Sequence, residues 1–215
     1  MNNKITILDY GMGNLLNVAR AFEHVGAEVT ITDLPELAAE ATRLVVPGVG
    51  AFKDSIAEVR RRGFDDVIRN YVSTERPFLG ICVGMQILFD ASEEFGTHEG
   101  LGILPGAVKA IPNLTTEGQM QRVPHIGWNH LVQTEQGRSW DGTLLSGFEE
   151  EHPAVYFVHS FAAQPANDAD RLADCIYGGH RVCAVVQRNN VMATQFHPER
   201  SAKLGLGVLR RFLSL

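Results

Sequence analysis

Phe78-Leu79-Gly80-Ile81-Cys82-Val83-Gly84-Met85-Gln86 is the stretch around which this chain is organised. It reads as a short apolar strand, a tight turn, and the start of a helix running from Val83 to about Phe89. Cys82 stands at the turn, with Gly80 two residues before it and Gly84 two after it. That is the Gly-x-nucleophile-x-Gly pattern of a nucleophile elbow, with sulfur in place of oxygen. The glycines leave room for a strained backbone and let strand and helix approach closely. The helix would point its positive end at the sulfur. Its first-turn N–H on Val83 is unpaired within the helix and lies where an oxyanion would form. A small core cysteine at a strand end fits the same five residues, so the rest of the chain must decide.

Composition narrows the field. The 215 residues are 45% hydrophobic and 20% charged, an ordinary globular balance. A formal net charge of -6 argues against a nucleic-acid binder, which would carry a basic face. No apolar run approaches a membrane span, and the start of the chain does not read as a signal peptide. Cys82, Cys175 and Cys183 make an odd number without a spaced framework, which suits free thiols in a reducing cytoplasm. The eight histidines fall in no metal-binding pattern, so neither metal nor cofactor is expected.

The first half of the chain alternates strand and helix. Ile5–Leu8 is a buried strand; Gly11-Met12-Gly13-Asn14 is a glycine loop with Asn14 as a helix N-cap. A helix over Leu15–Val25, stopped by Gly26, leads to a strand at Glu28–Ile31. This unit lacks the third glycine and the downstream acid of a dinucleotide fingerprint. A strand at Leu44–Val46 runs into Pro47-Gly48-Val49-Gly50, either a plain turn or a second source of oxyanion donors. Helices at Lys53–Arg62 and Phe64–Val72 precede the Cys82 strand. After Phe89 the pattern changes to short strands and loops. Asp168–Asp174 reads as a polar turn. Cys175–Tyr177, Val182–Val186 and Val191–Phe196 alternate in antiparallel fashion, and a helix over Leu204–Leu213 closes the chain. The expectation is one domain over residues 1–215. It is an α/β fold with a mixed, mostly parallel sheet flanked by helices and antiparallel strands added in the C-terminal half.

A cysteine nucleophile needs a base and a group to orient that base. His197 directly follows a strand, Pro198 stiffens its turn, and Glu199 is two residues on, close enough to hold one imidazole tautomer. His-Pro-Glu alone is a weak signal. An elbow followed about a hundred residues later by strand-His-Pro-Glu is a strong one.

Gly80–Gln86 and Gln195-Phe196-His197-Pro198-Glu199 together resemble the two signatures of class I (triad-type) glutamine amidotransferases, which have a flavodoxin-like fold. Asp9–Asn14, Pro47–Phe52, Pro124-His125-Ile126-Gly127-Trp128-Asn129 and Tyr156–Phe161 narrow the resemblance to the glutaminase subunits of imidazole glycerol phosphate synthases, over the chain from Asp9 to the last helix. Phe161 stands where tyrosine is common and Arg200 where lysine is common; both keep the physical character.

The resemblance implies a Cys82–His197–Glu199 triad that hydrolyses L-glutamine, with an oxyanion hole from Val83 and from the Val49–Gly50 backbone. It implies substrate contacts from Gln86, Glu94, His159, Ser160 and Phe161. It also implies a partner on another chain, a (β/α)8-barrel cyclase that receives the ammonia, with Asn14, Asn17, Trp128 and Arg200 facing it. The competing readings are a paralogous glutaminase serving a barrel synthase of surface-polysaccharide biosynthesis, and a non-catalytic regulatory partner.

Overall fold

A computed structural model describes residues 3–148 and 153–215. Strands β1 (Lys4–Leu8), β2 (Glu28–Thr32), β3 (Leu44–Gly48) and β4 (Phe78–Cys82) alternate with helices α1 (Leu15–His24), α2 (Pro35–Ala39), α3 (Phe52–Arg61) and α4 (Phe64–Val72). One helical turn, α5 (Val83–Gln86), follows β4. The remaining strands are β5 (Phe89–Ser92), β6 (His98–Glu99), β7 (Leu104–Ala110), β8 (His125–Gln133), β9 (Ala154–His159), β10 (Phe161–Pro165), β11 (Arg171–Tyr177), β12 (His180–Arg188) and β13 (Val191–Thr194). Helix α6 (Ala202–Ser214) ends the chain.

The main sheet has the order β2-β1-β3-β4-β13-β12-β11-β8-β9; a second, four-stranded sheet has the order β10-β7-β5-β6. From β2 to β13 the main sheet is parallel, and from β13 to β9 it is antiparallel. β3 and β4 are buried at every position because both lie mid-sheet with helices over both faces. The crossovers run from β1 out to β2 and then back past β1 to β3. Right-handed connections therefore put α1 on one face and α2, α3 and α4 on the other. Helix α1 buries Val18, Ala19 and Phe22 at helical spacing, and Phe22 meets Phe212 of α6 edge-on at 6.1 Å.

β13 is the element that positions the site. It was expected to be antiparallel, and it is antiparallel to β12, but it also lies parallel to β4 with Thr194 opposite Ile81. The chain leaving β13 thus emerges beside the chain leaving β4.

Several sequence expectations are corrected. The helix expected over Val83–Phe89 ends at Gln86, and Phe89 opens β5 instead. Residues 81–89 are buried on every side, so no polar face was present to set a helical period. The polar stretch Asp168–Asp174 is a turn only to Asp170. Arg171 begins β11, and Asp174 is buried there between Arg171 (2.6 Å) and Arg181 (3.2 Å). Asn14 precedes α1 but makes no side-chain cap bond. Among the described residues, no helix is long and apolar enough to cross a membrane.

Candidate active site

The elbow forms as its glycines require. A Cβ on Gly84 would overlap the Val46 carbonyl oxygen, and one on Gly80 would lie 2.6 Å from the Gly84 carbonyl oxygen. Neither glycine is needed for a left-handed backbone. Both are needed so that β3, β4 and α5 can close on one another. The strained conformation falls on Cys82 itself (φ 56°, ψ -112°), which for a side-chain-bearing residue costs about 1–3 kcal/mol. Because α5 is one turn long, the sulfur sees the unpaired N–H groups of that turn rather than a long helix dipole.

His197 arrives from the end of β13, its N–H donating to the Tyr156 carbonyl at 3.0 Å. Its Nδ1 donates to Glu199 Oε1 at 2.8 Å, and both side chains are almost fully buried. The carboxylate fixes the tautomer, so Nε2 is the atom turned to the chemistry. Nε2 has no hydrogen-bond partner of its own. Burial alone would lower the His197 pKa. The Cys82 sulfur and the Glu199 carboxylate outweigh it and raise the value to about 10.

Cys82 and His197 open into one cavity of about 290 Å³. Its walls bring together Val49, Gly50, Val83, Gln86, Glu94, His159, Ser160 and Phe161, all named from sequence, with Pro124 and Val158 added. The end of β3 abuts the elbow: a Cβ on Gly48 would lie 2.8 Å from the Gly84 nitrogen and 3.0 Å from Val83 Cβ. Val49 and Gly50 are therefore held next to Val83, and both are exposed at the rim. Glu94 does two things. Its Oε2 accepts from the Phe52 N–H at 2.6 Å at the start of α3, and its side chain also faces the cavity. Gln86 donates through Nε2 to the Phe161 carbonyl (3.1 Å) and to Gln195 Oε1 (3.0 Å). Both amide hydrogens are used there, which leaves Oε1 as its atom for a ligand.

Two histidines that sequence reading treated separately form a buried pair. His125 and His159 are directly opposite in β8 and β9, with His125 Nδ1 and His159 Nε2 3.2 Å apart. His159 Nδ1 donates to the Phe161 carbonyl at 2.9 Å. His159 Nε2 is then the acceptor and His125 Nδ1 the donor, and His125 Nε2 accepts from Asn129 at 3.4 Å. Burial lowers both pKa values to about 4, so the pair is neutral at pH 7.

The four residues expected to face a partner are all exposed. Arg200 lies with Cζ 4.3 Å from the Tyr156 ring centroid, and Tyr156 meets Trp128 edge-on at 6.2 Å. Trp128 (55% exposed) and Ile126 (59%) project from the same side of β8. Tyr156, which ties Arg200 to Trp128, was missed from sequence because it reads as an ordinary strand aromatic. Gln195 was also missed as a site residue; its Nε2 donates to Cys82 Sγ at 3.6 Å. Among the described residues, no group of three or more His, Cys, Asp or Glu is arranged to hold a metal ion.

Residues 6–214 match the model of the class-I glutamine amidotransferase family, and the chain belongs to that family. It is 45% identical over 213 residues to imidazole glycerol phosphate synthase subunit HisH 1 of Legionella pneumophila (strain Lens), covering 99% of this chain and all of that one. It is 48% identical over 212 residues to subunit HisH of Salinibacter ruber, covering 98% of this chain and 94% of the relative. The solved structure of PurLQS from Thermotoga maritima shares the fold with a TM-score of 0.73 at 18% identity, covering 100% of this chain and 99% of that one.

Proposed function

We propose that this chain is the glutaminase subunit of an imidazole glycerol phosphate synthase. It releases ammonia from L-glutamine for a separate (β/α)8-barrel cyclase, which makes imidazole glycerol phosphate and aminoimidazole carboxamide ribotide in histidine biosynthesis. The observation that carries the reading is the convergence of Cys82 and Glu199-backed His197 on one cavity, in a chain 45–48% identical to HisH subunits along its length.

In this reading Cys82 attacks the side-chain amide carbon of glutamine, and the carbonyl oxygen becomes an oxyanion held by N–H groups of Val83 and the Val49–Gly50 backbone. His197, kept charged at neutral pH by its raised pKa, gives its proton to the departing ammonia. It then takes a proton from the water that opens the thioester, releasing glutamate and restoring the pair. Glu199 keeps the ring oriented and stabilises its charge. Gln86 Oε1 is an acceptor for a substrate N–H, and the Glu94 carboxylate suits the substrate ammonium. His159, Ser160 and Phe161 line the far wall.

Ammonia released into neutral water would be protonated and lost as a nucleophile, so a covered route is required. The exposed Ile126–Trp128 strip with Arg200 beside it, together with exposed Asn14 and Asn17, is the face the cyclase would cover. The working compartment is the cytoplasm, and residues 1–215 act as one domain. No cofactor is required by the chemistry.

The deciding experiment uses the complex with the cyclase. Cys82→Ala should abolish glutamine-dependent turnover and leave ammonia-dependent turnover intact. Retained glutamine hydrolysis would refute the assignment.

A further inference from the structure

The hydrogen bonds behind Cys82 have a fixed direction, and it is set by one carbonyl. Phe161 O can only accept. Gln86 must therefore present Nε2 to it, and does so at 3.1 Å. The same Nε2 reaches Gln195, whose facing atom must then be Oε1, at 3.0 Å. That leaves Gln195 with Nε2 toward Cys82 Sγ, at 3.6 Å. Neither amide can be flipped without setting two donors, or two acceptors, against each other. The same carbonyl accepts from His159 Nδ1 at 2.9 Å, so both its lone pairs are occupied and its orientation is held from a second side.

Gln195 is fully buried and Gln86 is 4% exposed. A fully buried primary amide is expensive unless each polar atom is used. Here one of the Gln195 amide hydrogens is spent on a sulfur. Its backbone is fixed as well, with its N–H donating to the Ala184 carbonyl at 2.8 Å.

We propose that Gln195 is a catalytic residue of the glutaminase reaction: its side-chain N–H holds the Cys82 sulfur in its attacking rotamer and stabilises negative charge on it, while Gln86 and the Phe161 carbonyl position that amide. A hydrogen bond to an ionised acceptor is roughly twice as strong as one to a neutral acceptor, so the contact selects the thiolate over the thiol. His197 supplies the positive charge on the other side of the sulfur. Tyr10, buried on the elbow, Glu94 and His159 across the cavity, and Glu199 behind His197 are the other titratable groups around it. The arrangement also gives Gln86 a second duty: substrate bound at its Oε1 touches the residue that aims the nucleophile.

The inference rests on Cys82 being the nucleophile, and the test separates the two. In the complex with the cyclase, iodoacetamide labelling is followed by mass spectrometry in the wild type, Cys82→Ala, Gln195→Leu and Gln86→Leu. Cys175 and Cys183 are buried with raised pKa values and should not react. Labelling that persists in Cys82→Ala would refute the nucleophile assignment whatever the other variants do. For Gln195→Leu, the labelling rate at pH 7 and kcat should each fall by about tenfold, with KM for glutamine within about twofold. The labelling deficit should shrink as pH rises, because added base replaces the missing N–H as the source of thiolate. A merely structural defect would lower the rate equally at every pH. Far-UV circular dichroism and co-elution with the cyclase report whether each variant is folded. If Gln195→Leu fails these controls, Gln86→Leu carries the test, with a smaller, equally pH-dependent loss of labelling expected. Wild-type labelling rates across pH in a folded variant, or a deficit constant with pH, would overturn the proposal.

Discussion

Acid should destabilise this protein through the His125–His159 pair well before its carboxylates are protonated. The pair is 3% and 6% exposed, and its one good bond requires a bare nitrogen on His159 facing an N–H on His125. Protonating His159 at Nε2 sets two N–H groups against each other at 3.2 Å, and protonating His125 at Nε2 does the same against the Asn129 amide at 3.4 Å. Burial lowers each pKa from 6.5 to about 4. The unfolded chain therefore binds more protons than the folded one between about pH 6.5 and 4. Stability falls as pH falls through that window. At pH 5 each histidine would cost about 2 kcal/mol, and the pair about 2–4 kcal/mol, the lower figure allowing for solvent near His125. His197 masks only part of the effect. Its raised pKa gives stability fully present below about 6.5 and lost as pH rises through about 10, so between pH 7 and pH 5 it adds back about 1 kcal/mol. The assay is urea unfolding at pH 7 and pH 5 for the wild type and His125→Gln, in which one titrating ring is gone and the stack between Phe157 and Tyr177 is lost. The variant should be less stable at pH 7 but lose about half as much or less on acidification. A wild-type loss below about 1 kcal/mol, or equal losses in both proteins, would refute the reasoning.

Other consequences can be checked separately. Glu199→Gln removes the charge that fixes the His197 tautomer; kcat should fall by about two to four orders of magnitude with little change in KM, as measured by glutamate release. Gly84→Ala drives a methyl group into the Val46 carbonyl and should cost more than about 3 kcal/mol in urea unfolding, whereas Gly13→Ala, whose nearest neighbour is Leu15 Cδ2 at 3.4 Å, should cost less than about 1 kcal/mol. Glu94→Gln can still accept from the Phe52 N–H but carries no charge, so KM for glutamine should rise by about tenfold while unfolding is nearly unchanged. An equal KM would move Glu94 out of the substrate site.

The parts legible in sequence are those written in local residues. Gly80, Cys82 and Gly84 are a complete local instruction, and His197 and Glu199 need only one short turn between them. The buried strands β3 and β4 showed as unbroken apolar runs. The illegible parts depend on partners brought in from far away. Gln195 reads as one polar residue in a strand until residues 82, 86 and 161 surround it. His125 and His159 read as separate histidines until β8 pairs with β9. Asp174 looked like turn chemistry because its two arginines, at positions 171 and 181, act only once β11 and β12 have paired. The stop of α5 at Gln86 was hidden because Met85–Phe89 is buried throughout, Gln86 included, and shows no alternation of exposed and buried residues to read. The short strands of the second sheet have the same weakness.

The insertion of β13 between β4 and β12 also bears on how the protein is born. Gln195 and Cys82 are 113 residues apart in sequence yet touch. On the ribosome, β4 is made early and must wait with one apolar edge open until almost the whole chain has emerged. During that wait the thiol has neither imidazole nor amide beside it, so on the proposed mechanism a half-made chain would not hydrolyse glutamine. Ammonia release would thereby be withheld from truncated and unfinished chains.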